Sequence, residues 1–385
     1  MDSFFVEVER LDDPGLVGIP VAVGGKGPRG VIASASYEAR MSGVRSAQPT
    51  ATALRMCPQL VVVAPRHGRY GEVSTDVFSI FRGFTPLVEG LSLDEAFLDV
   101  TGLRLHFDSS VAVGDAVRAE IRNQIGLPAS VGVASVKFVA KLASEAAKPD
   151  GLRHVPEREQ EEFLRSLPAT SLWGVGPATA AALTRLGVET VGDIADLPVS
   201  TLTAAVGPAT GQHLHDLAHG LDLRPVVPDS TAKSISVEET YDTDLTSLEL
   251  IETSLLAHAQ RLSGRLRRAG LRGRTLTLKL RKADFITISR SHTVAGATDG
   301  ARELFQISRD LLREVGDPGP VRLIGLAATS LESAGEPAQL EIGGSETWSR
   351  VEAAVADLRD RFGDDVVGPA RLLSSEPPKK REKDP

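Results

Sequence analysis

The stretch LSLDEAFLDV, residues 91 to 100, sets two adjacent acids inside an apolar run. Leu91, Leu93, Ala96, Phe97, Leu98 and Val100 suit a core; Asp94 and Glu95 do not. VEGLSL before them and AFLDV after them read as two strands that meet at the acids. Paired carboxylates at a strand end can hold Mg²⁺, a hard cation that keeps several waters and is usually shared with substrate phosphates. In phosphoryl transfer two such ions clamp the attacking and leaving oxygens. Taken alone, the same dipeptide also reads as a solvated hairpin turn, so its partners decide.

Three other stretches supply partners. In SASYEARMSG, Ser34 lies on an incoming strand, and Tyr37 and Arg40 are three apart at a helix start, hence on one face. A hydroxyl, a phenol and a guanidinium near a helix N-terminus suit a triphosphate; a tyrosine packed on a surface arginine is the plainer alternative. Lys148 lies seven residues past Lys141 and eleven past Lys137, on one expected helical face, so a cation can return to the same place. A solvated face is its alternative. Phe4 and Phe5 are adjacent rings for which core packing is the default. GGKGPRG lacks the Gly-Lys-Ser/Thr ending of a phosphate loop and joins two apparent strands, which favours a hairpin turn.

The chain has 385 residues, 42% hydrophobic, enough for roughly two to four domains with real cores. No apolar run of about 18 residues predicts a membrane span, and no signal peptide precedes the first structural pattern, so a cytoplasmic location is expected. The lone Cys57 excludes an internal disulfide and reads as a small buried apolar residue. His213, His215 and His219 share a helix without a ligand partner and read as surface residues. The net charge of −8 argues weakly against nucleic acid, yet only the contacting face matters. Residues 261–290 hold ten basic side chains against the single acid Asp284, a local +9.

A helix is expected at about 109–125, then a strand ASVGVAS and a helix VKFVAKLASEAA stopped at Lys148-Pro149. Residues 156–225 read as helical with Gly-Pro punctuation, and RPVVPDSTAK as a linker. Leu248, Ile251, Leu255, Ala259, Leu262 and Leu266 recur at helical steps. In RTLTLKLR, Leu276, Leu278 and Leu280 take one face and Thr275, Thr277, Lys279 and Arg281 the other. FITISRS and VRLIGL continue as strands. The result is a small α+β module with one polar, basic sheet face. In LWGVGPATAAALTRLGV, Gly174 and Gly176 allow a tight turn that aims backbone N–H groups at a phosphate; VGPATGQHL at 206–214 is a fainter echo. The tail SSEPPKKREKDP has the composition of disorder.

MDSFFVEVERLDDP, VAVGG, SYEAR, LSLDEAFLDV, AKPDG and LWGVGPATAAALTRLGVETVGDI resemble, in order and spacing, the Y-family DNA polymerases, in the bacterial DNA polymerase IV branch. The resemblance covers about residues 1 to 330. It implies an α+β right-hand polymerase: a ferredoxin-like palm at 1–11 and 67–155, small fingers at 12–66, and a helical thumb with a helix-hairpin-helix at 156–225. A linker at 226–233, an α+β little finger at 234–332 and a C-terminal extension at 333–385 complete it. By position, Asp94 and Glu95 resemble catalytic metal ligands for two Mg²⁺ ions, and Ser34, Tyr37, Arg40 and Lys148 the ligands of an incoming deoxynucleoside triphosphate. Phe5 resembles the steric gate against a ribose 2′-OH. Primer–template DNA would meet Gly174, Gly176, Lys279, Arg281 and Arg290 without reading sequence. A sliding-clamp peptide would fall at Gln339–Ile342, although Gly343 offers no aromatic plug. A monomer is expected.

The family's first motif reads Asp-x-Asp-x-Phe-Phe after an apolar strand. Here Met1 falls on the position that lends a backbone carbonyl to the metal, Asp2 on the second Asp, and the first Asp would precede residue 1. Either the start lies within a longer protein, or the chain is a weak or non-catalytic DNA-binding paralogue. The expectation is little nucleotide insertion by residues 1–385 themselves.

Overall fold

The computed structural model describes residues 1–228 and 231–335, with 351–352, 354–355, 357–358, 361–363 and 366–373. The chain divides into two compact units, Met1–Ser230 and Thr231–Pro385.

The first unit opens on helix α1 (Phe4–Asp12), which buries Phe4, Val6 and Val8. Strands β1 (Val21–Gly24) and β2 (Ile32–Ala35) form an antiparallel hairpin across GGKGPRG, and β3 (Val61–Val63) joins β1 in parallel. The glycine-rich stretch is therefore a turn, as its missing Lys-Ser/Thr ending implied. Gly30 is required there, since a Cβ would lie 1.9 Å from the Gly25 carbonyl oxygen. Helices α2 (Tyr37–Met41) and α3 (Thr50–Met56) close a small core of Ala22, Ile32, Ala35, Ala53 and the fully buried Cys57.

Helix α4 (His67–Phe84) leads into the antiparallel pair β4 (Val88–Gly90) and β5 (Ala96–Leu98). Helix α5 (Ser110–Ile125) is capped by the Ser109 hydroxyl and ends at Gly126. It packs Val113, Val117 and Ile121 against the core of α1 and α4. Strands β6 (Val131–Ala134) and β7 (Leu152–Val155) pair in parallel through helix α6 (Lys137–Ala146). The strands of this segment form two separate ladders, β4-β5 and β6-β7. A cavity of about 380 Å³ lies between them, lined by Ala96, Leu98 and Val100 on one side and Val131 and Val133 on the other. Glu95 and Asp99 bond toward β4. By antiparallel alternation, the backbone groups of Ala96 and Leu98 then turn to the cavity. Among the described residues no strand lies between the two ladders.

Helices α7 (Gln160–Arg165), α8 (Pro177–Arg185), α9 (Val191–Asp196), α10 (Val199–Val206) and α11 (Pro208–Ala218) follow. Their core of Leu164, Leu183, Ile194, Leu202, Leu214 and Leu217 also takes in Phe138, Val139 and Val155. Gly211 lets α11 close on α10, because a Cβ would sit 2.6 Å from the Thr203 backbone. No regular element covers 221–227.

The second unit is one antiparallel sheet in the order β10-β9-β11-β8, made of β8 (Ser234–Leu245), β9 (Leu271–Lys282), β10 (Thr287–Thr298) and β11 (Val321–Ser333). Helices α12 (Leu248–Arg268) and α13 (Ala301–Val315) cover one face. The alternation of β9 holds: Leu276, Leu278 and Leu280 are buried beneath them. Each such side chain contributes about 1.5–3 kcal/mol on leaving water. No helix among the described residues is long and apolar enough to cross a membrane.

Candidate active site and nucleic-acid interface

The turn from β4 to β5 delivers the acids. Glu95 O accepts from Leu91 N at 2.8 Å, and the Ser74 hydroxyl of α4 holds Leu93 O at 2.5 Å. Asp94 and Glu95 lie in the lining of the cavity, with Met1, Lys141 and Lys148 lining it beside them. The Met1 ammonium donates to Asp94 O at 2.8 Å and lies 3.5 Å from Asp94 Oδ2. Met1 meets the site through its amino group. The Ser92 hydroxyl donates to Asp94 Oδ1 at 2.9 Å.

Glu95 Oε2 takes the Lys141 ammonium at 2.9 Å. Burial raises the Glu95 carboxyl, but the Lys141 hydrogen bond and the charges of Lys141, Lys148 and the N-terminus outweigh it and hold it below the usual carboxylate range. Hard carboxylate oxygens suit Mg²⁺, so the donor chemistry fits. Each acid now faces an ammonium group that a cation would displace. Among the described residues no third acid, histidine or cysteine joins them in a ligand group.

The residues expected to meet a triphosphate are assembled from β2, α2 and the turn after α6, beside α1. Ser34 is 8% exposed on β2, beside Ala35, whose carbonyl accepts from Ser3 Oγ and Arg40 Nε, each at 3.0 Å. The Ser36 hydroxyl caps α2, and the Arg40 guanidinium lies 4.7 Å over the Tyr37 ring. Burial, then the nearby Asp2 charge, pushes the Tyr37 phenol up to about 12. Tyr37 OH reaches Asp2 Oδ1 at 3.4 Å, and Asp2 Oδ2 accepts from Asp150 N at 2.7 Å. Asp2 follows Met1, so the acids, Tyr37 and the Lys148 turn belong to one connected site.

Lys148 itself corrects the expected helical stripe. Helix α6 ends at Ala146, and Lys148 stands beyond it. A residue before proline is pushed out of the helical region. Lys148 pairs with Glu145 at 2.5 Å, and Lys137 with Glu89 at 2.7 Å. Lys141, passed over in the sequence as mere spacing, is the cation that touches Glu95. Its i+4 step from Lys137 was the available signal.

Phe4 is 4% exposed in the core, while Phe5 is half-buried and stacks on Tyr70 with centroids 4.3 Å apart and planes 13° apart. Tyr70 OH donates to Glu9 Oε1 at 2.5 Å, and Arg66 Nε lies 3.1 and 3.0 Å from the two Glu9 oxygens. Glu9, Arg66 and Tyr70 were not legible as a group, being up to 61 residues apart.

Among the DNA-facing candidates, Gly174 adopts φ +94° and needs glycine, whereas Gly176 has φ −81° and only caps α8. The tight turn therefore belongs to Gly174 alone. The fainter echo is also built: Gly207, at φ +90°, caps α11 as Gly176 caps α8. In the second unit the basic window divides between the sheet and α12, and four of its bases meet acids. Arg261 pairs with Glu239 at 2.6 Å, Lys279 with Glu238 at 2.6 Å, Arg267 with Asp299 at 3.1 Å, and Arg274 with Glu332 at 3.6 Å. Arg281 bonds only the Thr287 hydroxyl and Arg290 the Ser289 carbonyl, without an acid among the described residues. Of the three histidines read as surface groups, His213 and His219 are exposed; His215 is half-buried, its ring 4.3 Å from that of His219. The clamp peptide expected at Gln339–Ile342 lies outside the described residues.

Residues 1–145 match the model of the impB/mucB/samB family, 170–222 that of the DNA polymerase-iota thumb domain, and 232–342 that of the impB/mucB/samB family C-terminal domain. The chain is 42% identical over 380 residues to the DNA polymerase IV of Desulfatibacillum aliphaticivorans, covering 97% of this chain and 96% of that relative. It is 41% identical over 374 residues to the DNA polymerase IV of Caulobacter vibrioides, covering 97% and 92%. A solved Y-family DNA polymerase chimera superposes with a TM-score of 0.79 at 26% identity, over 86% of this chain and 96% of that one.

Proposed function

The chain belongs to the Y-family DNA polymerases, in the translesion DNA polymerase IV branch, and on that premise we propose that it extends a primer 3′-OH by two-metal phosphoryl transfer in DNA damage tolerance. Residues 1–11 and 67–155 act as palm, 12–66 as fingers, 156–225 as thumb, 226–233 as linker and 234–332 as little finger, in a cytoplasmic monomer. Asp94 and Glu95 would hold Mg²⁺, which when bound neutralises charge on the transferring phosphate. Tyr37, Arg40, Ser34 and Lys148 orient the triphosphate. Phe5, held flat on Tyr70, occupies the space a ribose 2′-OH would need. Backbone N–H groups at the start of α8, Lys279, Arg281 and Arg290 grip the DNA backbone; Gln339–Ile342 is a weak candidate for a sliding clamp.

The observation that carries this reading is the convergence of Asp94, Glu95, Lys148 and Met1 on the lining of one cavity, with Tyr37 tied to it through Asp2. One observation favours a second reading, a DNA-binding paralogue without turnover. Glu95 faces the Lys141 ammonium, and the acids gain no third ligand among the described residues. Mg²⁺-dependent primer extension on a labelled duplex tests both. On the polymerase reading, primer extension is expected and Asp94→Ala is expected to abolish it. Robust extension would refute the paralogue reading; nicking of the duplex in place of extension would refute the polymerase mechanism.

A further inference from the structure

Asp2 is 1% exposed and is itself no candidate ligand, yet three distant segments converge on its carboxylate. Oδ2 accepts from Asp150 N at 2.7 Å and from the Ser130 hydroxyl at 2.8 Å; Oδ1 lies 3.0 Å from that hydroxyl and 3.4 Å from Tyr37 OH. Tyr37 begins α2, Ser130 precedes β6, and Asp150 closes the turn that carries Lys148. Asp150 holds φ +48°, a left-handed conformation that a non-glycine residue keeps only when its surroundings fix it. Arg118 and Arg122 close on the Asp150 side chain, and Asp2 takes its N–H.

We propose that Asp2 is a positioning residue that sets Tyr37 and the Lys148 turn in register, so that one triphosphate meets both at once. The inference rests on reading Tyr37 and Lys148 as triphosphate ligands. It follows from donor arithmetic. Three donors point at Asp2, and only an ionised carboxylate offers two acceptor oxygens and no donor. Asparagine keeps the shape but turns an NH₂ toward donors that need an acceptor. Part-buried donors turned against an NH₂ reorganise, because a polar group left unmet away from water is costly. Lys148 and Tyr37 would then lose their common register while keeping their own chemistry.

The test is equilibrium binding of a deoxynucleoside triphosphate to the full chain on a fluorescein-labelled primer–template, with Ca²⁺ in place of Mg²⁺. Lys148→Ala and Asp2→Asn are each expected to weaken triphosphate binding about tenfold, the scale of one charge-assisted contact. Their double variant should fall well short of a hundredfold, because both act through one element. Duplex affinity should stay as in the unaltered chain. Unchanged triphosphate binding by Asp2→Asn, beside a weakened Lys148→Ala, overturns the role of Asp2 alone. Unchanged binding by Lys148→Ala and Tyr37→Phe overturns the triphosphate site itself. If Asp2→Asn also loses the duplex, Ser130→Ala is read instead. A severalfold loss of triphosphate at constant duplex affinity supports the inference; no loss overturns it.

Discussion

Removing Arg66 should destabilise the first unit more than neutralising Glu9, and neutralising Glu9 should then rescue the loss. The Glu9 side chain is 6% exposed and Arg66 44%. Arg66→Ala leaves a buried carboxylate with the Tyr70 hydroxyl as its remaining donor. Breaking a buried pair from one side costs about 3–5 kcal/mol. The exposure of Arg66 screens the pair and favours the lower figure, about 3 kcal/mol. Glu9→Gln keeps an acceptor for Tyr70 and removes the charge, while Arg66 retains Asp12 at 2.7 Å. Its cost is about 1 kcal/mol, that of one hydrogen bond. In the Glu9→Gln background no stranded charge remains, so Arg66→Ala should add only about 1 kcal/mol. The double variant is then more stable than Arg66→Ala alone. For a unit of this size 1 kcal/mol moves the melting temperature by about 2–4 °C. Thermal unfolding at pH 7, followed by circular dichroism, should place Arg66→Ala roughly 6–12 °C down and the double variant above it. A double variant no more stable than Arg66→Ala alone would refute the stranded-carboxylate reasoning.

Gly211→Val should destabilise the helical segment by about 1–3 kcal/mol, as overpacking does, because its Cβ would meet the Thr203 backbone at 2.6 Å; urea unfolding should show it, and a neutral outcome would deny the close approach of α10 and α11. His258 is 0% exposed in the second unit, and burial, then the Arg261 charge, lowers its pKa. The folded state therefore binds this proton less readily than the unfolded chain, so its contribution is full above about pH 6.5 and is lost as pH falls through the lowered value. Melting temperature against pH should fall below about pH 6.5 and fall less in His258→Gln; equal slopes would contradict it.

The hairpin carrying Asp94 and Glu95 was legible because two charged residues cannot sit in an apolar run unless a turn or a ligand takes them. The alternation of Leu276, Leu278 and Leu280 fixed the buried face of β9 in the same way. Helix α1 is not legible in the sequence: Phe4, Val6 and Val8 alternate with period two, and tertiary burial overrides that pattern. Lys148 was placed on a helix because counting in sevens ignores the proline that follows it. The buried roles of Asp2 and Glu9 were not readable at all. Acids are usually exposed, and their partners lie as far as 148 residues away in sequence.

The acids supplied by β8, β11 and the segment before α13 change what the basic window can do at a distance. Glu238, Glu239, Glu332 and Asp299 all come from outside residues 261–290, and each occupies one of its cations. The far field of this unit is therefore much weaker than its local sequence suggests, and beyond a Debye length of about 10 Å little attraction survives. On the proposed reading, such a surface would hold a duplex it already touches but not reel one in, so capture should run near the rate of unsteered diffusion and release should be frequent.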